Sequence, residues 1–219
     1  LTEDTLDRNK LAAANVAELR QLRGRLRSKG YNGGMDYARH HNLRSGGAEL
    51  AKLPESFDWQ AMGAVTPVKD QAVCGSCWSF GTSGAVEGAL FAKTGRLVRL
   101  SQQQLIDCSW QFGNNGCDGG EDFRAYKYIE HAGGLASEDD YGHYLGIDAK
   151  CHERDAAKAV KVKGFYNVSA NSVDALKHAL VNYGPVSISI DASPSTFAFY
   201  SHGAYYDPKC QNSPDNLDH

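Results

Sequence analysis

The sequence lacks any run of about eighteen apolar residues, the length that a membrane-spanning helix requires. Proline is scarce, at 6 residues, and no stretch is strongly biased in composition, which excludes collagen-like and low-complexity chains. A strong excess of one charge is also absent. The net charge of -3 excludes the basic surface typical of nucleic-acid-binding proteins. The 219 residues, 42% of them hydrophobic, are enough for one large domain or two small lobes around a packed core.

The charge balance changes along the chain. Residues 1–52 hold ten Lys and Arg against six Asp and Glu, whereas residues 53–219 hold thirteen against twenty. A denser, aromatic-containing stretch begins at Leu53, so we place a boundary there and call the two parts the leader (1–52) and the body (53–219). The chain opens with Leu1 and shows no secretory signal pattern. We therefore expect that a signal was removed upstream or that the chain is a piece of something longer.

Hydrophobic periodicity predicts a helical part followed by a strand-rich part. In the leader, leucines at helical spacing predict a helix over residues 1–29, and the glycines of residues 30–52 predict an extended or loop segment. In the body, four helices are predicted, from Cys77 to Gly95, from Ser101 to Cys108, from Gly120 to His131 and from Ser172 to Tyr183. Alternation predicts strands over Val160–Val168 and Pro185–Ile190. The fold class predicted is α+β, with a helical first lobe over residues 53–157 and a β-rich second lobe over residues 158–219.

Six cysteines are many for a cytosolic enzyme of this size and indicate an oxidising compartment, either secretory or endolysosomal. The triplet Asn167-Val-Ser169 has the form of an N-glycosylation acceptor, which agrees with that compartment.

The densest chemical signal is the segment from Gln71 to Phe80, which contains Cys74-Gly-Ser-Cys77-Trp78. Cys77 follows a Gly/Ser turn at the start of a predicted helix, where backbone N–H groups and the helix dipole favour a thiolate nucleophile. The side-chain amide of Gln71 and the N–H of Cys77 would together form an oxyanion hole. Two other interpretations of the Cys-x-x-Cys pair are half of a zinc site and a thioredoxin-like redox pair. The chain lacks the second ligand pair for the first and the βαβ setting for the second.

Cys-Gly-Ser-Cys-Trp is the signature of the papain and cathepsin cysteine peptidases, and the resemblance extends over residues 53–219. Other segments that resemble cathepsin landmarks are Leu53–Trp59, Leu100–Cys108, Gly116–Gly120, Gly184–Ser187 and Leu217–His219. The leader resembles the end of a propeptide less specifically. The resemblance implies a cathepsin L-like proform with the papain-like two-lobe fold.

The resemblance also implies a role for each matched residue. Cys77 would be the nucleophile, His219 the general base and acid, and Gln71 the oxyanion donor. Gly75, Gly119 and Gly120 would line the groove and bind the substrate backbone. Ser189 and Leu217 would border the pocket for the residue two places before the cut, and Asp218 would contribute its carbonyl. Cys74–Cys117 and Cys108–Cys151 would be disulfides, and the other seven histidines are expected at the surface.

Glu121 and Asp122 follow the paired glycines, where relatives carry apolar or aromatic residues that shape the main specificity pocket. Two carboxylates at this place would attract a Lys or Arg side chain and disfavour Leu or Phe. The alternative is that both acids only begin a helix, where the dipole favours them.

The chain departs from the family pattern at its end, because it stops at His219 without the downstream Asn and Trp. Cys210 is left over after the implied pairing, so we expect its disulfide partner beyond residue 219. The function expected is a cysteine endopeptidase proform that acts through a thioester, and the alternative is an inactive papain-fold binding module. The expected partners are peptide and protein substrates, cystatin-like inhibitors, and the leader as an inhibitor that acid releases near Lys52. We expect no metal, cofactor or nucleic acid, and a lysosomal or secreted location.

Overall fold

The computed structural model describes residues 24–26, 31–41, 43 and 52–219. Most of the leader helix predicted over residues 1–29 lies outside the described residues, and residues 24–26 are not helical. The leader also corrects the loop predicted over residues 30–52. A two-residue strand, β1 (Met35–Asp36), leads directly into a short helix, α1 (Tyr37–His40), because the Asp36 carboxylate accepts a hydrogen bond from Arg39 N at 2.7 Å and caps that turn.

Two helices of the body have ends at capping residues visible in the sequence. Helix α2 (Cys77–Thr94) ends at Gly95, whose φ of 70° is the left-handed conformation that glycine adopts without strain. Helix α3 (Gln102–Cys108) begins after Ser101, whose hydroxyl accepts from Gln104 N at 3.0 Å. The reciprocal half of this capping box is absent, because the Gln104 amide instead donates to the Tyr128 hydroxyl and accepts from Ala136 N. Gln104 therefore links three elements rather than closing its own helix.

The remaining helices are α4 (Asp122–His131), α5 (Glu138–Tyr141) and α6 (Val173–Tyr183). Helix α4 starts two residues later than predicted, because Glu121 is extended and serves as the N-cap. Helices α2, α3 and α4 pack around one apolar core, whose buried members are Cys74, Trp78, Val86, Leu100, Leu105, Ile106, Ala125, Tyr128, Ile129 and Leu135. The disulfides Cys74–Cys117 and Cys108–Cys151 both form at the edge of this core, as the resemblance implies.

The strands are short and pair across the chain. Strand β2 (Leu135–Ala136) pairs antiparallel with β3 (Lys158–Val160), and β1 pairs parallel with β4 (Tyr166–Asn167). The single strand predicted over 160–168 is thus two strands with different partners. The strand predicted at Pro185–Ile190 is not formed. Among the described residues, only Ile190 of this segment makes strand-like backbone hydrogen bonds, with Asp218 and His219. Alternating side chains make a strand only where a neighbouring backbone can complete its hydrogen bonds.

One buried charge holds the segment before the Cys74 loop against α2. Glu87 is 1% exposed, and its carboxylate accepts from Leu100 N at 2.8 Å and from the Thr66 hydroxyl at 2.7 Å. Lys69 completes the pairing at 3.4 Å. A carboxylate removed from water is tolerated where it is paired and hydrogen-bonded in this way.

Within the described part of the chain, no helix is both long enough and apolar enough to cross a membrane.

Candidate active site

Cys77 is the first residue of α2 and is a free, partly buried cysteine. The disulfide from Cys74 to Cys117 anchors the loop in front of it, and Gly75 N donates to Cys117 O at 2.9 Å beside that bond. Because Cys74 is bonded to Cys117, it is not available as a zinc ligand or as a redox partner of Cys77. The structure therefore favours the interpretation of Cys77 as a lone nucleophile at a helix N-terminus over both alternatives.

Gln71 lies at the other end of the same loop. Its Nε2 donates to Cys74 O at 2.9 Å, which uses one of the two N–H groups that the side-chain amide carries. Tyr144 holds the loop from outside, because its hydroxyl donates to Gln71 O at 2.7 Å and lies 2.7 Å from the Ser76 hydroxyl. The orientation of Gln71 relative to Cys77 is thus fixed by groups on both sides.

His219 reaches the site from the far end of the chain. Ile190 N donates to His219 O at 3.0 Å, and His219 N donates back to Ile190 O at 3.2 Å. This pairing brings the histidine to a cavity of about 440 Å³ that Gln71 and Cys77 also line. The three residues predicted to be catalytic, which are 148 positions apart at their extremes, therefore share one cavity.

A glycine-rich edge borders the site on its other side. Gly119 has a φ of 115°, and Gly120 lies directly against the Trp78 ring, where a side chain would not fit. Asn114 supports this edge from below, because its Oδ1 accepts from Glu121 N at 2.9 Å. The result is a stretch of backbone without side chains that a second chain can approach closely.

In the described structure, the leader occupies this edge. Gly120 N donates to Gly24 O at 2.7 Å, and Leu26 N donates to Gly120 O at 2.9 Å, so Arg25 pairs with Gly120 as a parallel bridge. Gly24 also packs against Gly75, so closely that a Cβ on Gly24 would overlap the Gly75 carbonyl. The segment that covers the groove is therefore Gly24–Leu26, which lies upstream of the Gly-rich stretch at 30–52.

Burial raises the pKa of the Cys77 thiol in this leader-covered state. Hydrogen bonds with the backbone of Gly24 and Trp78 lower it, the Asp218 carboxylate raises it, and the Arg25 guanidinium lowers it. Burial outweighs the helix terminus that we expected to favour the thiolate, because taking a charged form out of water costs more than these contacts return. A raised pKa lowers the fraction of thiolate, the nucleophilic form, at a given pH.

Residues 53–219 match the profile of the papain family cysteine proteases, which is 167 of the 219 residues in the chain. The chain belongs to the papain family.

Its relatives in this family include cathepsins. The chain is 51% identical over 168 residues to a cathepsin L-like peptidase of Aedes aegypti, covering 77% of this chain and 49% of that protein. It is 40% identical over 220 residues to cathepsin L1 of Drosophila melanogaster, covering 96% of this chain and 57% of that protein. The chain thus spans about half the length of these curated relatives.

A solved structure of a digestive procathepsin L 3 from Tenebrio molitor larval midgut resembles the fold, with a TM-score of 0.76 and 34% identity. The match covers 96% of this chain and 64% of that one. The papain-like α+β fold class predicted from the sequence is confirmed by these matches.

The remaining predicted site residues fall around the covered groove. Ser189, Asp122 and Gly120 line a second cavity beside Cys77. Leu217 offers its carbonyl to Arg25 at 3.0 Å, and the Asp218 carboxylate accepts from Ala192 N at 2.9 Å. Glu121 also borders the second cavity, but its carboxylate is 3.2 Å from the Arg124 guanidinium. The two neighbouring acids therefore face different surroundings in this papain-family chain.

Sequence reasoning missed the residues that position the site. Tyr144 and Asn114 act through hydrogen bonds to loops that are 73 and 7 residues away in sequence. Ser187, which hydrogen-bonds to Asp122, lies in the segment Gly184–Ser187 that carried part of the resemblance. The sequence signal that could have identified Ser187 is that it is a polar residue in an otherwise apolar, alternating segment.

Proposed function

We propose that the full-length protein is a cysteine endopeptidase of the cathepsin L type, described here with its leader covering the groove. The observation that carries the proposal is the shared cavity of Cys77, His219 and Gln71 at the N-terminus of α2. Cys77 Sγ attacks the peptide carbonyl, and the Gln71 amide and Cys77 N–H stabilise the oxyanion. His219 takes the proton of the Cys77 thiol and gives it to the leaving amine as the C–N bond breaks, and water then hydrolyses the thioester.

The rival proposal, an inactive papain-fold binding module, needs none of these three side chains to meet. Their convergence, together with the similarity to several cathepsins, favours the peptidase. The alkylation of Cys77 tests the peptidase proposal directly. We expect iodoacetamide at mildly acid pH to modify Cys77 in the activated full-length protein and to abolish hydrolysis of a fluorogenic peptide in proportion. If Cys77 is modified only after denaturation, and the native protein hydrolyses no fluorogenic peptide, the binding module is the better account.

We also propose that the body divides into two lobes as the sequence predicts, at residues 53–157 and 158–219. The leader is proposed to act as an inhibitor of this body. The support is the backbone pairing of Gly24–Leu26 with Gly120, which blocks the groove beside Cys77. A second contact region holds residues 31–41 on the second lobe. It is a His–Tyr cluster consisting of His40, His41, His178, Tyr37, Tyr166 and Tyr183.

The His–Tyr cluster makes leader docking sensitive to acid. Burial lowers the pKa of His41, and the neighbouring His40 and His178 lower it further. The free leader therefore binds more protons than the docked leader, so docking is complete above the ordinary His pKa of about 6.5 and weakens as pH falls below it. The described groups that face His41 carry no negative charge that would stabilise its protonated form. They are the rings of Tyr37, Tyr166 and Tyr183 and the two other histidines.

We expect His41→Gln to require a lower pH for leader release than the wild type, because the substituted side chain cannot gain a proton. The measurement is the pH midpoint of Cys77 alkylation in unprocessed full-length protein. His143→Gln is the control, since His143 is 84% exposed and contacts Glu138 on the body. Identical midpoints in wild type and His41→Gln would show that other groups, such as carboxylates of the body, set the acid response.

A lysosomal or secreted location and binding of cystatin-like inhibitors are further parts of the proposal. The support for the location is the two disulfides and the similarity to cathepsins. The amide of Asn167, whose triplet has the form of a glycosylation acceptor, exchanges hydrogen bonds of 2.7 and 3.0 Å with Asn32 of the leader.

A further inference from the structure

A cavity of about 210 Å³ opens beside Cys77 at the glycine edge of the groove. The residues that line it include His219, Gly120, Asp122, Ser187 and Ser189. A side chain from any peptide that pairs with Gly120 next to the nucleophile would enter this space.

Asp122, the first residue of α4, is one of two acidic residues that line the cavity. Its Oδ1 accepts from Phe123 N at 2.7 Å, and the Ser187 side chain hydrogen-bonds to it. Burial raises the pKa of Asp122, these two hydrogen bonds lower it, and the nearby Glu121 raises it. No ion pair to a body residue is found for Asp122 among the described residues, whereas Glu121 has Arg124 at 3.2 Å.

The leader brings a cation to this same cavity. Arg25 pairs with Gly120 through its flanking backbone groups, and its side chain lines the cavity. The guanidinium donates to Leu217 O at 3.0 Å and to Pro214 O at 3.4 Å, and it is close enough to lower the pKa of Asp122. The segment that blocks the groove therefore places a positive charge where a substrate side chain would lie.

A partly buried carboxylate makes the cavity select between apolar and cationic substrate side chains, because the two differ in whether they pair with its charge. An apolar side chain would complete the removal of Asp122 from water and leave its charge unpaired, which is costly. A lysine or arginine would pair with it through a charge-assisted hydrogen bond, and the carbonyls of Leu217 and Pro214 would take further guanidinium N–H groups.

We propose that Asp122 makes this cavity select a lysine or arginine side chain in the peptide substrate, two residues before the cut. The inference rests on the proposed peptidase function and assigns its substrate class. It also distinguishes between the two acids that the sequence left equivalent, because the carboxylate of Glu121 is paired with Arg124 and that of Asp122 is hydrogen-bonded to Ser187 in the cavity wall.

The test compares two fluorogenic peptides that carry arginine or citrulline at that position, since citrulline keeps the shape of arginine without its charge. With activated full-length protein, we expect kcat/KM to favour arginine by about ten- to hundredfold. Asp122→Asn should bring the ratio close to one, whereas Glu130→Gln, which removes an exposed acid from the same helix, should leave it unchanged. The ratio should also fall as acid protonates Asp122.

The wild-type comparison needs no variant, so it decides the matter even if Asp122→Asn fails to fold. A ratio near one in the wild type, or a ratio that persists in a folded Asp122→Asn protein, overturns the proposal. Binding of the same peptides to full-length Cys77→Ala protein, measured by fluorescence anisotropy, separates this inference from the proposed function. Tighter binding of the arginine peptide without turnover by the wild type would support the cation site and reject the peptidase.

Discussion

Replacing Cys77 by serine is expected to lower kcat/KM for a fluorogenic peptide by at least about a thousandfold in activated full-length protein. A serine hydroxyl at the same helix terminus is a far weaker nucleophile, because it does not ionise near neutral pH as a thiol can. His219→Ala should cost a similar factor, since it removes the proton donor for the leaving amine. Both side chains line one cavity with Gln71, so we expect them to act as a unit.

The double variant provides the sharper measurement. If Cys77 and His219 act together, Cys77→Ser/His219→Ala should be no slower than the worse single variant. His202→Ala is the matched control, because His202 is exposed and its ring nitrogen contacts Ser201. Losses that multiply in the double variant would mean that the two residues contribute independently, and the assignment of His219 as the partner of Cys77 would then be wrong.

The local features of the site were predictable because short-range rules determine them. The Gly/Ser turn before Cys77 and the glycine at residue 95 set the two ends of α2, and both are visible in the sequence. The resemblance then supplied His219 and Gln71, which no local rule connects to Cys77. Their meeting in one cavity depends on the pairing of Ile190 with His219, a contact between distant segments.

The sequence could not predict which of the two acids faces the cavity, because that depends on the exact residue at which α4 begins. Adjacent residues of a helix point about 100° apart, so the position of the N-cap decides which acid faces which way. Glu121 is the extended N-cap residue and reaches Arg124, and Asp122 begins α4 and contacts Ser187. Sequence alone placed the helix start at Gly120, and an error of two residues leaves the two carboxylates indistinguishable.

The pairing of the leader with the groove could not be predicted from the sequence, because it also depends on contacts between distant segments. Its leucines at helical spacing are compatible with a helix through residue 26, yet residues 24–26 pair with Gly120 instead. The close approach at that point depends on three glycines, Gly24 in the leader and Gly75 and Gly119 in the body. Their complementarity is a property of two distant surfaces, which neither composition nor periodicity of the leader reveals.

Gly24→Val is expected to raise the rate at which iodoacetamide alkylates Cys77 in unprocessed full-length protein by roughly tenfold or more, since forced overpacking typically costs about 1–3 kcal/mol. The added side chain would collide with the carbonyl of Gly75, which cannot retreat because Gly75 N is bonded to Cys117 O beside a disulfide. Lifting the leader also exposes to the reagent the Cys77 thiol, which is partly buried beneath it.

The measurement uses alkylation rather than turnover, so that self-processing during the assay does not obscure the result. Tyr31→Val is the control in the leader, because Tyr31 is 83% exposed and its loss should leave the rate unchanged. Thermal unfolding of both variants checks that the body is intact, since neither substitution touches the core around α2, α3 and α4. An unchanged alkylation rate in a folded Gly24→Val protein would mean that the leader does not restrict access to Cys77 through this contact, and the inhibitory role assigned to Gly24–Leu26 would have to be withdrawn.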